Sequence, residues 1–198
     1  MTTRIPRARK VVAACALAGL IALPGCGGEV PAPTGFVECV DKGAQFICDG
    51  PKGWEVDAGG KADSPNSFAK FTKGGAEIKV VADFAGSLFG DMAKASGAGL
   101  GADAEPPVAK VHPMGVRQMK EDYPSYEERD PKPVQSKGFG EGRRSTFIAA
   151  GSMGGKIYGY RATYLSGDRR ISVVCTCPAT NWKTLKPAFE KVILSLRR

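Results

Sequence analysis

Two cysteines, Cys175 and Cys177, lie one residue apart in the apolar stretch ISVVCTCP. Thiols at such a spacing can bind a metal ion, act as a redox pair or form structural disulfides. The thiols of a tetrathiolate zinc site come in pairs with two to four residues between them, whereas Cys39 and Cys48 are farther apart and Cys175 and Cys177 closer. Cys175 and Cys177 also lack the two-residue spacer at a helix start that lowers the thiol pKa in thioredoxin-like sites. No metal site is expected, and redox or metal-handling chemistry at Cys175 and Cys177 is the alternative to disulfides.

The single histidine, His112, is the one possible base for Ser–His or Cys–His catalysis. It stands in VHPMG, and the chain has no Gly-x-Ser-x-Gly sequence to present a nucleophilic serine. The glycines of FGEGRR and GSMGG lack the Gly-Lys-Ser/Thr ending of a phosphate-binding loop. The carboxylates of EDYPSYEERD do not follow the alternating spacing of a calcium loop. We therefore expect a protein that is not an enzyme and carries no cofactor, with His112 a structural or solvated residue.

Arginines of the last third lie on neighbouring predicted strands: Arg143, Arg144, Arg161, Arg169 and Arg170. With Lys183 and Arg198 they could face an anionic partner such as a lipid headgroup or an acidic polysaccharide. Residues 26–131 hold 11 Lys and Arg against 17 Asp and Glu, and residues 132–198 hold 13 against 3. The favoured interpretation of this asymmetry is that the two halves interleave in one sheet and their charges pair.

The N-terminus has basic residues and no acid in MTTRIPRARK, followed by the apolar run VVAACALAGLIAL. The run is too short to cross about 30 Å of hydrocarbon as a helix, so it indicates a secretory signal. Leu23-Pro24-Gly25-Cys26 resembles the bacterial lipobox, in which the cysteine is lipidated and becomes the first residue of the mature protein. The alternative is an ordinary signal peptide cleaved nearby. In both cases the domain is exported, so nucleic acid is not an expected partner.

These patterns divide the chain into a lipoprotein signal peptide over 1–25, a tether over 26–35 and one domain over 36–198. The tether GGEVPAPTG has too little apolar surface to fold and is expected to be flexible. We expect the lipid on Cys26 to attach the domain to the cell membrane or the outer membrane, facing the periplasm or the exterior. An unknown envelope protein or an anionic polymer is the expected partner.

Export makes disulfides the expected state of Cys39, Cys48, Cys175 and Cys177. Residues 175 and 177 share one face of a strand with Cα atoms about 6.5–7 Å apart, at the limit of disulfide geometry. A turn at Asp41-Lys42-Gly43 places Cys39 and Cys48 diagonally across the first hairpin, which is also poor for a direct bond. We therefore predict that each thiol of the first hairpin pairs with one thiol of the last strand.

The elements that would position these residues are strands at both ends of the chain with helices between and after them. Hairpins are predicted in FVECVDKGAQFICDG, in SFAKF with AEIKVVADF, and in KIYGYRATYL with RRISVVCTC. A two-residue Gly167-Asp168 turn would set Tyr160 opposite Cys175. Helices are predicted from Ser87, around Pro113 and after Asn181, which can cap the last helix while Pro187 lies in its first turn. YPSYEERDPKPVQS is expected to be a strand edge or loop. This arrangement is typical of an antiparallel sheet covered by helices, the α+β class.

The frame P-x-G-W-x-V at 51–56, the strand AEIKVV and the end block KIYGYRATYLSGDRRISVVCTCPATNWKTLKPAFEKVILSLR resemble the PsbP/Mog-type domain. The resemblance covers roughly residues 44–198 and implies a sheet sandwiched by helices. It further implies a non-catalytic accessory or binding module.

Overall fold

The computed structural model describes residues 28–61, 66–85, 105–129, 131–151 and 154–198. The predicted signal peptide, Cys26 and the helix predicted from Ser87 lie outside these residues. Two strands form a separate hairpin, β1 (Phe36–Val40) with β2 (Ile47–Pro51). The main sheet contains β3 (Glu55–Gly59), β4 (Ser67–Lys73), β5 (Ala76–Phe84), β6 (Glu127–Glu128), β7 (Lys132–Ser136), β8 (Gly140–Ala150), β9 (Lys156–Ser166) and β10 (Arg169–Pro178).

The main sheet is antiparallel throughout, with the strand order β3-β4-β5-β10-β9-β8. Both β6 and β7 pair with the outer side of β8, which confirms that YPSYEERDPKPVQS contributes edge strands. The helical elements are α1 (Pro107–Val111), a 3-10 turn (His112–Gly115), α2 (Val116–Asp122), a second 3-10 turn (Ala179–Asn181) and α3 (Trp182–Ser195). The α+β class predicted from the sequence is therefore confirmed.

The hairpin of β9 and β10 has the register that the sequence predicts. Tyr160 lies opposite Cys175, and the other predicted pairs along the two strands are also present. Because β5 pairs with the other side of β10, the first and second halves of the chain interleave in one sheet. Arg170 pairs with Asp83, and Arg197 bonds Asp49 at 2.9 Å, so charges of the two halves do compensate each other.

One face of the sheet packs against α3 and the β1–β2 hairpin to form the main hydrophobic core. The apolar stripe of α3 includes Leu185, Phe189 and Ile193, all fully buried. Tyr164 of β9 donates a hydrogen bond from its hydroxyl to the carbonyl of Ile193 at 3.2 Å. The opposite face is covered by α1, the first 3-10 turn and α2 over β8 and β9. No helix among the described residues is long and apolar enough to span a membrane.

The start of α3 differs from the prediction. The helix begins at Trp182 with Pro187 inside it, and the side chain of Asn181 makes no capping hydrogen bond. Asn181 is buried and accepts a hydrogen bond from the backbone N–H of Val30 at 3.0 Å. Val30 is itself only 2% exposed, so this part of the predicted tether packs against the domain.

The predicted register of the first hairpin is wrong, because Cys39 lies directly opposite Cys48. The connection runs past Gly43 to Gln45, and the Asp41 carboxylate accepts hydrogen bonds from the backbone N–H groups of Gly43, Gln45 and Phe46. This longer loop shifts the pairing of the strands. Neither thiol is bonded to Cys175 or Cys177, since all four are free in the structure.

Candidate functional site

A cluster of polar side chains is buried between the sheet and the α1–α2 segment. We call it the His112 cluster, and its members are His112, Ser145, Thr163, Glu128 and Arg161. His112 enters from the 3-10 turn, which contains Pro113 and separates α1 from α2 in the region where one helix, kinked or started by Pro113, is predicted. Ser145, Thr163 and Arg161 come from β8 and β9, and Glu128 comes from the two-residue strand β6.

His112 is 1% exposed, and both of its ring nitrogens have hydroxyl partners. Nδ1 lies 2.9 Å from Thr163 Oγ1, and Nε2 lies 2.8 Å from Ser145 Oγ. A Glu128 carboxylate oxygen lies 3.4 Å from Nε2. Because a carboxylate only accepts, the tautomer with hydrogen on Nε2 suits these partners, with Thr163 donating to Nδ1.

Glu128 and Arg161 form the ion pair of the cluster. The Arg161 Nη2 and Nε atoms donate to Glu128 Oε1 at 2.8 and 3.2 Å, and Arg161 Nη1 donates to the carbonyl of His112 at 2.7 Å. The Tyr126 hydroxyl donates to the second Glu128 oxygen at 2.9 Å. The 3-10 turn lies close to the Arg161 guanidinium, since a Cβ on Gly115 would lie 2.8 Å from Arg161 Nη1. The pair is enclosed, with only 6% and 10% of the two side chains exposed.

The surroundings hold His112 neutral and Glu128 charged. Burial lowers the pKa of His112 below its usual value. The hydrogen bond to Glu128 would raise this pKa, but burial and the Arg161 charge, which also lowers it, outweigh that bond. Burial alone would raise the pKa of Glu128. Hydrogen bonds from His112 and Ser145 and the charge of Arg161 outweigh it and lower the pKa of Glu128 to about 2.

This arrangement does not have the geometry of a serine hydrolase. In a catalytic triad the acid and the nucleophile contact different nitrogens of the histidine. Here Ser145 and Glu128 both contact Nε2, while Nδ1 contacts Thr163. Ser145 is also completely buried, so no substrate can reach its hydroxyl in this conformation. The geometry is that of a satisfied structural histidine, one of the two possibilities that the sequence left for His112.

The sequence-predicted thiols divide into two pairs with different surroundings. Cys175 and Cys177 are completely buried in the main core, and burial raises the pKa of both, to about 12 for Cys177. Cys48 is equally buried, whereas Cys39 is partly exposed. The hydrogen bond from the Cys48 thiol lowers the pKa of Cys39 to about 7 and raises that of Cys48. Of the four thiols, Cys39 alone combines exposure with a lowered pKa, the two properties that favour reaction.

The predicted anionic-partner surface is not a single surface. Because side chains alternate along a strand, Arg143, Arg161 and Arg170 lie on the α1–α2 face, whereas Arg144 and Arg169 lie on the α3 face. Each of them also pairs with a carboxylate. The respective partners are Glu141, Glu128, Asp83, Glu190 and Asp168.

Two concave regions flank the His112 cluster. One, of about 430 Å³, lies beside Lys120, Tyr126 and Arg129. The larger, of about 660 Å³, lies between α2 and the outer face of β5 and β10, and we call it the α2 groove. Its lining includes Glu77, Lys79, Val81, Met119, Asp122, Tyr123 and Val174. Burial, with Glu77 and Asp122 nearby, raises the pKa of Tyr123 to about 12. Among the described residues no group of three or more His, Cys, Asp or Glu could hold a metal ion.

Sequence reasoning missed Glu128 and Arg161 as partners. The predicted β9–β10 register already sets Tyr160 and Tyr164 on the α3 face, so alternation places Arg161 and Thr163 on the other face. That signal was available. No comparable signal existed for Glu128, because a two-residue strand has no periodicity.

Comparison with known proteins gives a structural match only. No protein-family model matches the chain, and no curated protein matches it. The cyanobacterial PsbP (CyanoP) of Synechocystis sp. PCC 6803 aligns over 87% of this chain and 96% of its own, with 14% identity and a TM-score of 0.50.

Two further solved structures resemble the chain more weakly. LpqN of Mycobacterium tuberculosis, described as involved in cell envelope biogenesis, covers 82% of this chain and 89% of its own, with 12% identity and a TM-score of 0.48. The Ran-binding protein Mog1p of Saccharomyces cerevisiae covers 82% and 94%, with 9% identity and a TM-score of 0.47. At these identities a likeness concerns the fold alone. The described domain has the α+β fold of the PsbP/Mog type.

Proposed function

We propose that this chain is an exported, lipid-anchored protein whose domain binds an envelope partner and catalyses no reaction. The observation that carries the proposal is that the histidine–serine pair of the His112 cluster is enclosed. His112 and Ser145 are buried and satisfied by each other and by their neighbours. The same burial argues against redox or metal-handling chemistry at Cys175 and Cys177, because a thiol must lose its proton to react and both pKa values are raised.

The position of Val30 supports an anchor close to the domain. Cys26 precedes Val30 by only four residues, which span at most about 14 Å. Val30 packs at the end of the sheet where β4 turns into β5, since a Cβ on Gly74 would lie 2.7 Å from it. A lipid on Cys26 would therefore hold this end near the membrane surface. Exposed Lys73 and Lys183 lie beside Gly74 and Asn181 in the chain and suit an anionic headgroup layer.

Replacing Cys26 with serine is expected to release the protein from the membrane fraction. The acyl chains have no attachment site in Cys26→Ser, and their burial in the bilayer is the main source of anchoring. The measurement is fractionation of cells combined with labelling by radioactive palmitate. Wild-type protein should be labelled and sediment with membranes.

The matched control is Cys15→Ser, which removes a thiol from the signal sequence and should leave both labelling and sedimentation unchanged. A Cys26→Ser protein that still carries label, or a wild-type protein without label, would disprove the anchor.

We propose the α2 groove as the partner-binding surface. Its lining combines apolar Val81, Val174 and Met119 with charges of both signs. Among the described residues, Glu77 and Lys79 have no ion-pair partner. A lining with unpaired charges of both signs suits a segment of a protein, which can supply charges of both signs. It suits a polyanion less well, because the carboxylates of the groove would repel one. Its volume of about 660 Å³ is within the usual range of ligand-binding clefts.

A photoreactive amino acid at Gln118 tests this surface. Gln118 is exposed on α2 and lines the groove. We expect ultraviolet irradiation of cells that carry p-benzoylphenylalanine at position 118 to produce a discrete crosslinked band. The control position is Lys186, which is exposed on α3 at the opposite face. Equal crosslinking at the two positions, or none at position 118, would exclude the groove as the binding surface.

A further inference from the structure

The β1–β2 hairpin places Cys39 and Cys48 directly opposite each other. The backbone N–H of Asp41 donates to the carbonyl of Phe46 at 3.2 Å, and the backbone N–H of Lys52 donates to the carbonyl of Gly35 at 2.9 Å. Hydrogen-bonded and non-hydrogen-bonded pairs alternate along an antiparallel ladder. Counting inward from both ends places Cys39 and Cys48 at a hydrogen-bonded pair. Cα atoms in such a pair are about 5.5 Å apart, close to the commonest separation in disulfides.

The two sulfurs differ in access. Cys39 lies on the outer strand of the hairpin and is partly exposed, and its thiol interacts directly with that of Cys48. Cys48 is completely buried in the core. The lowered pKa of Cys39 keeps a large share of its thiol ionised near neutral pH. An external disulfide can therefore meet a thiolate at Cys39 but not at Cys48.

Cys175 and Cys177 follow each other on one face of β10, where a Cα separation of about 6.5–7 Å is at the limit of disulfide geometry, and neither lies opposite another cysteine. Cys175 lies between Tyr160 of β9 and Ile78 of β5, and Cys177 lies opposite Tyr158. The ionisable groups that perturb Cys48 are Cys39, Asp49 and Arg197, and neither thiol of β10 is among them.

We infer that Cys39 and Cys48 form a disulfide across the β1–β2 hairpin, made and broken through the sulfur of Cys39. The Cys39 thiolate attacks one sulfur of a protein or low-molecular-weight disulfide, whose S–S bond breaks and releases one thiolate. The Cys48 thiol then attacks the Cys39 sulfur while its proton passes to the departing sulfur, which leaves as the second thiol. The two cysteines lose two electrons, and the donor disulfide becomes two thiols. Cys175 and Cys177 stay reduced.

The inference rests on the proposed export in one respect, because export determines which oxidising disulfides the protein meets in the cell.

The test has two arms, which use the full-length protein purified in detergent. In the first arm the protein is isolated with its thiols blocked at lysis. In the second it is reduced and then treated with glutathione disulfide. Trypsin cuts after Lys42, between the two cysteines, so a disulfide joins two peptides that mass spectrometry identifies.

In the second arm we expect one linked pair of peptides, containing Cys39 and Cys48, with Cys175 and Cys177 alkylated only after denaturation. The variant Cys48→Ser should accumulate a glutathione adduct on Cys39, because the second attack is lost. The matched variant Cys39→Ser should carry no adduct on Cys48 while folded.

A link from Cys39 or Cys48 to Cys175 or Cys177 would overturn the inference, as would four unmodified thiols after treatment with glutathione disulfide. Protein that is reduced when isolated from cells but forms the Cys39–Cys48 link in the second arm would support the pairing. The reduced state on isolation would count against export, because an exported protein meets an oxidising compartment.

Discussion

Replacing Arg161 with alanine is expected to lower the free energy of unfolding by about 3–5 kcal/mol. The substitution leaves the Glu128 carboxylate 10% exposed without its ion partner and removes the donor to the carbonyl of His112. A buried charge without a partner is more costly than the loss of the pair itself, because the charge keeps its desolvation penalty. Equilibrium unfolding in urea, followed by circular dichroism at neutral pH, measures the effect.

Arg170→Ala is the matched control for this prediction. Arg170 pairs with Asp83 on the same face of the sheet, but both side chains are more than a quarter exposed. Solvent screens such a pair, and we expect a loss of about 1 kcal/mol or less. The double variant Arg161→Ala with Glu128→Ala should lose clearly less than the sum of the two single variants, because no unpaired charge remains. Equal losses for Arg161→Ala and Arg170→Ala, or strictly additive losses, would contradict the proposed role of the ion pair.

The contrast between the two hairpins shows what the sequence can predict. A two-residue turn at Gly167-Asp168 leaves one register for β9 and β10, so the pairing of Tyr160 with Cys175 follows from counting. The β1–β2 connection is longer, and its length is fixed by hydrogen bonds from three backbone N–H groups to the Asp41 carboxylate. That network depends on the folded loop. Counting residues from Gly43 therefore gave the wrong partner for Cys39.

The His112 cluster was predictable only in part, for a similar reason. Period-two alternation places Ser145, Thr163 and Arg161 on the face away from α3, and Pro113 marks the turn that brings His112 there. The charged pair required Glu128, whose strand β6 is only two residues long and is defined by its contact with β8. A tertiary contact of this kind leaves no periodic pattern in the sequence.

The arginines show the limit of charge patterns. A dense basic stretch indicates an anionic partner only when its side chains share a surface and lack internal partners. In this fold the strands alternate, and Arg144 and Arg161 lie on opposite faces with Glu190 and Glu128 as their partners. The five arginines on these strands therefore form no shared basic surface, and each of them is paired with a carboxylate of the domain.

Acidification is expected to destabilise the domain in two stages because both titrating members of the His112 cluster have lowered pKa values. For His112 the unfolded chain binds a proton below about pH 6.5, whereas the folded domain resists protonation, so stability starts to fall below that pH. For Glu128 the pKa is about 2 when folded and near 4.5 when unfolded. Its contribution is complete above about pH 4.5 and is lost as the pH falls toward 2. By linkage this loss is about 3 kcal/mol.

The variant Glu128→Gln isolates the second stage. It should be less stable than wild type at pH 7, because Arg161 loses its partner, yet it should lose stability less steeply between pH 4.5 and 3. In that interval unfolding of the variant takes up about half a proton to nearly one proton fewer, which lowers the slope by about 0.7–1.2 kcal/mol per pH unit. Urea unfolding at pH 7, 5.5, 4.5 and 3 gives both slopes. Identical slopes below pH 4.5 would mean that Glu128 has an ordinary pKa in the folded domain, and that the ion pair with Arg161 contributes little to its stability.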